Sequence, residues 1–208
     1  MPERKRCLPM GCPIHVTLRS NDRRLLFATD ADYQHTIDTI QEALGRFAVE
    51  IDAYEVMPNH FHFIVRQQEP GAIPAFVHRI ALLTARWFRE SDGSVGQGHV
   101  FQRRYWSSVV QRDGYYLVAI RYVEANACRA GLVARAEDWK WGSLWERVTS
   151  GRSLLAPSRR PMPRDWTGIV NRMARDSDYD TFRRAVKRGR PLTRVVAWDP
   201  AEQAADLF

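Results

Sequence analysis

The 208-residue sequence is poor in cysteine, in lysine and in long apolar runs. Its three cysteines, Cys7, Cys12 and Cys128, form neither a disulfide framework nor a zinc-ligand pattern, so we expect three reduced thiols. No window approaches the roughly 18 consecutive apolar residues of a membrane-spanning helix. The basic first residues are not followed by the apolar segment of a secretory signal, which predicts a cytoplasmic protein without membrane contact.

Acidic residues are fewer than basic ones, and the imbalance lies mainly near the end of the chain. The formal net charge is +7. Residues 1–150 hold 19 Lys/Arg and 17 Asp/Glu, whereas residues 151–208 hold 12 and 7. We therefore predict a domain at 1–150 and a basic C-terminal extension at 151–208 that aids binding to nucleic acid. A charged tail that serves only solubility is the alternative. The extension's expected DNA contacts are Arg183, Arg184, Lys187, Arg188 and Arg190.

The hydrophobic content of 45% is sufficient for a core, and the apolar periodicity predicts both strands and helices. The predicted strands cover 14–18, 49–57, 60–66 and 100–110. The predicted helices cover 30–46, 75–90, 114–129 and 178–187.

The most informative stretch runs from Met57 to Val65 and contains two histidines separated by one apolar residue. Successive side chains of a strand point to opposite faces, so His60, His62 and Ile64 share one face. Phe61 and its alternate neighbours then form the core face. Two imidazoles on one face can hold a single cation between them, although such a pair is also found as two polar residues on a solvated face.

A second stretch, on the predicted helix 114–129, joins a phenol to a carboxamide. Tyr122 and Asn126 are four residues apart and lie one turn from each other on the same helical face. They form a possible nucleophile beside a possible oxygen ligand. The alternative is a core tyrosine followed by an asparagine near the helix end. Tyr115 and Tyr116 have no carboxamide four residues later.

A third stretch, Phe101 to Trp106, mixes arginine with aromatic residues. Arg103, Arg104 and Tyr105 could line a nucleic-acid groove through charge and stacking. Aromatic residues of an ordinary core strand would give the same pattern.

Taken together, these three stretches resemble the signatures of the REP-associated tyrosine transposases, which belong to the HUH single-tyrosine superfamily. The resemblance rests on Met57–Phe63, on Phe101–Tyr105 and on Arg121–Val133, and extends from about His15 to Ser143. Ala127 and Cys128 stand where that family usually has Pro and Val. The turn after the first strand also differs.

The resemblance implies a ferredoxin-like α+β fold with a central antiparallel sheet. It also implies that His60 and His62 bind a divalent metal, Mg²⁺ or Mn²⁺, that Tyr122 is the nucleophile, and that Asn126 completes the metal site. The implied activity is metal-dependent cleavage and joining of single-stranded DNA at REP-like hairpins through a 5′-phosphotyrosine. We expect a monomer rather than an obligate dimer.

Two other functions remain compatible with the sequence. One is a non-catalytic DNA- or RNA-binding protein on a degenerate nuclease fold, against which the intact histidines and Tyr122 argue. The other is a zinc hydrolase, which would need an acidic base beside the histidines. The nearest candidate, Glu55, precedes the turn at 58–59, so the sequence does not place it there.

Overall fold

Four antiparallel strands form one sheet in the order β2-β3-β1-β4. The computed structural model describes residues 8–93, 98–102, 104–110 and 113–173. The chain order β1-α1-β2-β3-α2-β4 with this strand order is the ferredoxin-like α+β arrangement, which confirms the predicted fold class. The strands are β1 Ile14–Arg19, β2 Val49–Met57, β3 His60–Gln67 and β4 Trp106–Val109. The helices are α1 Asp30–Leu44, α2 Ala72–Asp92, α3 Asp113–Glu124, α4 Asn126–Arg129, α5 Ser143–Thr149 and α6 Trp166–Met173.

Each face of the sheet carries its own hydrophobic cluster, and β2 and β3 contribute buried residues to both clusters. Helices α1 and α2 cover the first face, where the predicted core residues Phe61, Phe63 and Val65 are buried. Helices α3 and α6 cover the second face, which includes Ile64. The alternation of β3 therefore places residues on the two faces as the sequence predicts.

A β-bulge at Asp52 changes the alternation of β2. The register moves from Ile51 opposite Val65 to Ala53 opposite Ile64, so Asp52 is the extra residue. As a result Ala53 and Glu55 point to the second face. The Asp52 carboxylate accepts hydrogen bonds from the Arg66 guanidinium at 2.7–3.0 Å and neutralises that buried cation.

Two predicted elements are wrong in their extent. The strand predicted at 100–110 is paired as a strand only over β4. Before β4, backbone hydrogen bonds connect residues 100–102 to the end of β1 and the residues that follow it. They include Asn21 N–H to the Val100 carbonyl and Gln102 N–H to the Arg19 carbonyl. The Phe101 side chain is buried in the first cluster. Aromatic and β-branched residues favour a continuous strand there, but among the described residues before β4 the pairing is an isolated bridge between Phe101 and Ser20.

The helix predicted at 114–129 is interrupted, because α3 ends at Glu124 and α4 begins at Asn126. Other boundaries differ by a few residues. Helix α1 is capped by Thr29 and not by Asp30, with Asp32 closing a capping box, and α2 begins before Pro74, which occupies its first turn.

Described residues beyond 150 pack against the 1–150 domain. Leu155 bridges to Ile51 of β2, and Trp166, Ile169 and Val170 are buried in the second cluster. The division at 150 stays a prediction for the remainder, since the predicted helix 178–187 and the basic residues 183–190 lie outside the described residues. Within the described part, no helix is both long and apolar enough to cross a membrane.

Candidate active site

The turn at Pro58–Asn59 places both candidate histidines at the start of β3. His62 is 6% exposed and His60 is half-buried. Their ring centres are 4.9 Å apart and their planes meet at 79°. The structure thus brings the two imidazoles together on the second face of the sheet, as the alternation predicts.

The hydrogen bonds of Asn59 fix the orientation of His60. Asn59 Nδ2 donates to the Arg23 carbonyl at 3.1 Å, which leaves Asn59 Oδ1 as the acceptor 2.6 Å from His60 Nδ1. Because an amide oxygen only accepts, His60 Nδ1 carries the proton. The lone pair of neutral His60 therefore lies on Nε2, where it is available to a ligand.

His62 has two hydrogen-bonding partners on β1, the neighbouring strand. Its Nδ1 lies 3.0 Å from His15 Nε2 and 3.2 Å from Thr17 Oγ1. His15 is fully buried, and its ring is almost parallel to that of His62. His15 is not among the site residues predicted from the sequence. Its position between Ile14 and Val16 places it on the face of β1 opposite the core residues. That alternation is the local sequence feature that indicates a buried histidine on the site's side of the sheet.

All three histidines are held neutral. Burial, and secondarily the positive charge of Arg19, lowers the pKa of His60 to about 4. Burial and then the neighbouring His60, His15 and Arg19 hold the pKa of His62 well below its ordinary value. Burial alone lowers the pKa of His15 to about 3. Neutral imidazoles are the form that binds metal ions.

Tyr122 lies on α3 with its ring against the histidines. Its ring centre is 5.9 Å from that of His62 and 5.7 Å from that of His15, both edge-on. The residue is 4% exposed. Tyr116 lies near the Asp52 carboxylate, and burial followed by that negative charge raises its pKa. Of these two tyrosines, Tyr122 is the one whose ring stands beside the histidines.

Asn126 lies one turn beyond Tyr122, at the break between α3 and α4. Its Nδ2 donates to the carbonyls of Tyr122 and Val123 at 2.9 and 3.1 Å, so Oδ1 points away from them. The Ala127 N–H bonds Glu55 Oε1 at 3.0 Å instead of a helix carbonyl. Side chains thus replace the missing backbone bonds, which explains the interruption of the predicted helix.

Glu55 is closer to the histidines than its position before the turn suggests. It pairs with His62 across β2 and β3, and only 1% of it is exposed. Burial is the main cause that raises the pKa of Glu55 well above its usual range, with a smaller contribution from Glu124. The Oε1 atom of Glu55 accepts the Ala127 N–H and so holds the start of α4.

Two of the three predicted DNA-binding residues near β4 are described, and they lie away from Tyr122. Arg104 and Tyr105 line a groove of about 470 Å³ beside α2, together with Leu18 and Phe101 of the first cluster. The groove is therefore on the α1–α2 side of the sheet. Arg103 lies outside the described residues.

The donor set fits one divalent cation. Two imidazoles in neighbouring positions on one ion have ring centres about 4.6–5.3 Å apart, given metal–nitrogen bonds of about 2.1 Å, and the observed separation is 4.9 Å. Histidine nitrogens with an amide oxygen suit Mn²⁺, Mg²⁺ or Zn²⁺. In the described ranges, no cluster of three or more His, Cys, Asp or Glu side chains could hold a metal ion.

Comparisons with known proteins identify the family of this chain. The family described as "Transposase IS200 like" matches residues 10–126, a span that holds both β3 histidines, Tyr122 and Asn126. The chain belongs to this family of DNA transposases. No curated protein matches it.

The chain is also similar to solved structures. A REP-associated tyrosine transposase bound to a REP hairpin is 22% identical, with a TM-score of 0.60, and the match covers 77% of this chain and 94% of that one. A candidate transposase from Deinococcus radiodurans R1 is 18% identical with a TM-score of 0.41, over 56% and 92% of the two chains. The first of these confirms the fold that the resemblance implies.

Proposed function

We propose that this protein cleaves and rejoins single-stranded DNA at hairpins, with Tyr122 as the nucleophile and a divalent metal ion as cofactor. The observation that carries the proposal is the contact between the Tyr122 ring and the His62 ring on the second face of the sheet. Membership of the transposase family supports DNA cleavage and joining as the reaction class.

His60 and His62 are the proposed metal ligands, through the Nε2 atom of each. Asn126 Oδ1 is the proposed third ligand, since the amide nitrogen is engaged with the α3 carbonyls. Bound there, Mg²⁺ or Mn²⁺ would polarise and orient the scissile phosphate as a Lewis acid.

In the proposed reaction the Tyr122 Oη atom attacks phosphorus and the bond from phosphorus to the 3′ oxygen breaks. The phenol loses its proton, and the leaving 3′ oxygen takes one up. The products are a 5′-phosphotyrosine and a 3′-hydroxyl. A free 3′-hydroxyl can attack the same ester in reverse, so joining needs no nucleotide cofactor.

Hairpin DNA is the proposed substrate, since the structural neighbour is described as bound to a REP hairpin. Arg104 and Tyr105 are proposed contacts on the α1–α2 side, and the basic residues between 183 and 190 are proposed to add phosphate contacts. β4 is the end strand of the described sheet. A DNA molecule that reaches both Arg104 and Tyr122 would therefore pass over this edge.

The experiment is incubation with hairpin-bearing single-stranded oligonucleotides and Mn²⁺, followed by mass spectrometry of the covalent adduct. We expect the nucleotide on Tyr122. Tyr122→Phe should bind DNA and metal but not cleave, whereas Tyr115→Phe, a buried tyrosine on the same helix, should still cleave. An adduct on another tyrosine, or cleavage by Tyr122→Phe, would show that the assignment is wrong.

The second candidate is DNA or RNA binding without catalysis, and the burial of Tyr122 favours it. A side chain that is 4% exposed cannot reach a phosphate unless DNA binding uncovers it. The same assay separates the two: this candidate predicts hairpin binding with no adduct at any Mn²⁺ concentration, and equal binding by His60→Ala.

A further inference from the structure

His15 contacts a proposed metal ligand without the geometry of a ligand itself. Its Nε2 lies 3.0 Å from His62 Nδ1, so this nitrogen is used by a histidine and not presented to a shared cation. Thr17 Oγ1 approaches the same Nδ1 at 3.2 Å. The contact joins β1 to β3 in the interior of the sheet and, with His15 fully buried, it is shielded from water.

One proton on this contact decides which nitrogen of His62 can bind metal. A neutral imidazole has one N–H and one lone pair. If His62 Nδ1 donates to His15, the lone pair of His62 is on Nε2 and faces a ligand. If His15 Nε2 donates instead, His62 carries its proton on Nε2 and cannot bind a cation there.

The surroundings do not fix this choice. His15 Nδ1, the atom that would be protonated in the first arrangement, is buried and has no hydrogen-bond partner. The rings of Trp106 and Tyr122 stand edge-on to His15 and offer at most a weak contact to that N–H. For His60, by contrast, Asn59 already fixes the proton on Nδ1.

We propose that His15 is a positioning residue, which accepts the Nδ1 proton of His62 and so directs the Nε2 lone pair of His62 to the metal. This inference rests on the proposed function. Each histidine ligand would then donate its Nδ1 proton to a side-chain acceptor, Asn59 for His60 and His15 for His62. Metal-bound histidines commonly donate their other ring N–H to an acceptor in this way.

The test measures metal binding and the position of the proton in protein without DNA. Free Mn²⁺ is followed by electron paramagnetic resonance during titration of wild type, His15→Leu and His15→Gln. We expect His15→Leu to bind Mn²⁺ about 10–100-fold more weakly, the usual effect of losing such a partner. His15→Gln, whose amide oxygen can accept the same proton, should recover most of the affinity. Ile64→Val, a small change opposite His15 in the register, is the matched control and should bind as wild type.

Imidazole ¹⁵N spectra of wild type with Zn²⁺ give a second result that requires no variant. We expect the proton of His62 on Nδ1, hydrogen-bonded to His15. A proton on Nε2 of metal-loaded His62, or equal Mn²⁺ affinity in wild type and His15→Leu, would overturn this inference alone. Wild type that binds no Mn²⁺ would overturn the metal site and this inference with it. If His15→Leu does not fold, the spectra and His15→Gln still decide.

Discussion

Glu55 connects the sheet to the helix break that carries Asn126, and its replacement tests how that break is maintained. In Glu55→Ala the Ala127 N–H, which is fully buried, loses its acceptor at 3.0 Å. An unsatisfied buried N–H costs about 1–3 kcal/mol, and the loss of one buried methylene adds about 0.8 kcal/mol. We therefore expect the free energy of unfolding to fall by about 2–4 kcal/mol.

Glu55→Gln separates the hydrogen bond from the charge. The glutamine keeps an acceptor oxygen for Ala127 and cannot ionise. The pKa of Glu55 is raised in the folded protein, so its stabilising contribution is complete below the unfolded pKa of about 4.3. That contribution is lost as the pH rises through the folded pKa. Between the unfolded and the folded pKa, the free energy of unfolding of wild type should fall by up to about 1.4 kcal/mol per pH unit relative to that of Glu55→Gln.

The assay is urea denaturation of wild type and both variants at several pH values from 4 upward, followed by circular dichroism. Glu55→Ala should be the least stable of the three at low pH, and the difference between Glu55→Gln and wild type should grow with pH. A difference that stays constant with pH would refute the raised pKa of Glu55. Equal stability of Glu55→Ala and Glu55→Gln would refute the role of the bond to Ala127.

Two further predictions concern contacts near the site, and a third concerns the C-terminal tail. Trp166→Phe removes the N–H donor to Glu124 at 2.6 Å and should lower the free energy of unfolding by about 1–3 kcal/mol in urea titrations. Gly142→Ala puts a methyl group against the Glu55 carboxyl and should lower the melting temperature and the Mn²⁺ affinity together. Deletion of 174–208 should keep the melting temperature but weaken DNA binding, with a salt slope reduced by about 0.7–0.9 per lost phosphate contact; an unchanged slope would count against a DNA-binding tail.

The local parts of the fold were predictable because their causes are local. The alternation at Phe61, Phe63 and Val65 is enough to assign the core face of β3, and this places His60 and His62 on the opposite face. The strand and helix order along the chain follows from apolar periodicity. The faces of β1 are equally readable, since Ile14 and Val16 alternate with His15, but nothing local says which strand pairs with β1.

The β-bulge in β2 and the break between α3 and α4 depend on strand pairing and on contacts between residues far apart in sequence. The bulge at Asp52 places Glu55 on the same face as His62, and no residue pattern in β2 marks an extra residue there. The helix break at Ala125 is invisible in the sequence because helical spacing continues through it. The acceptor that replaces a helix carbonyl comes from Glu55, 72 residues from Ala127.

Long-range pairs hold two of the elements that carry the candidate site. His62 is joined to His15 over 47 residues of sequence, and Glu124, at the end of α3, is joined to Trp166 over 42 residues. His15 and Trp166 are not proposed ligands or nucleophiles, yet each fixes an element that carries one. A variant at such a position will lose activity whether its role is chemical or structural. Metal affinity and stability must therefore be measured beside cleavage before any of them is assigned to the reaction.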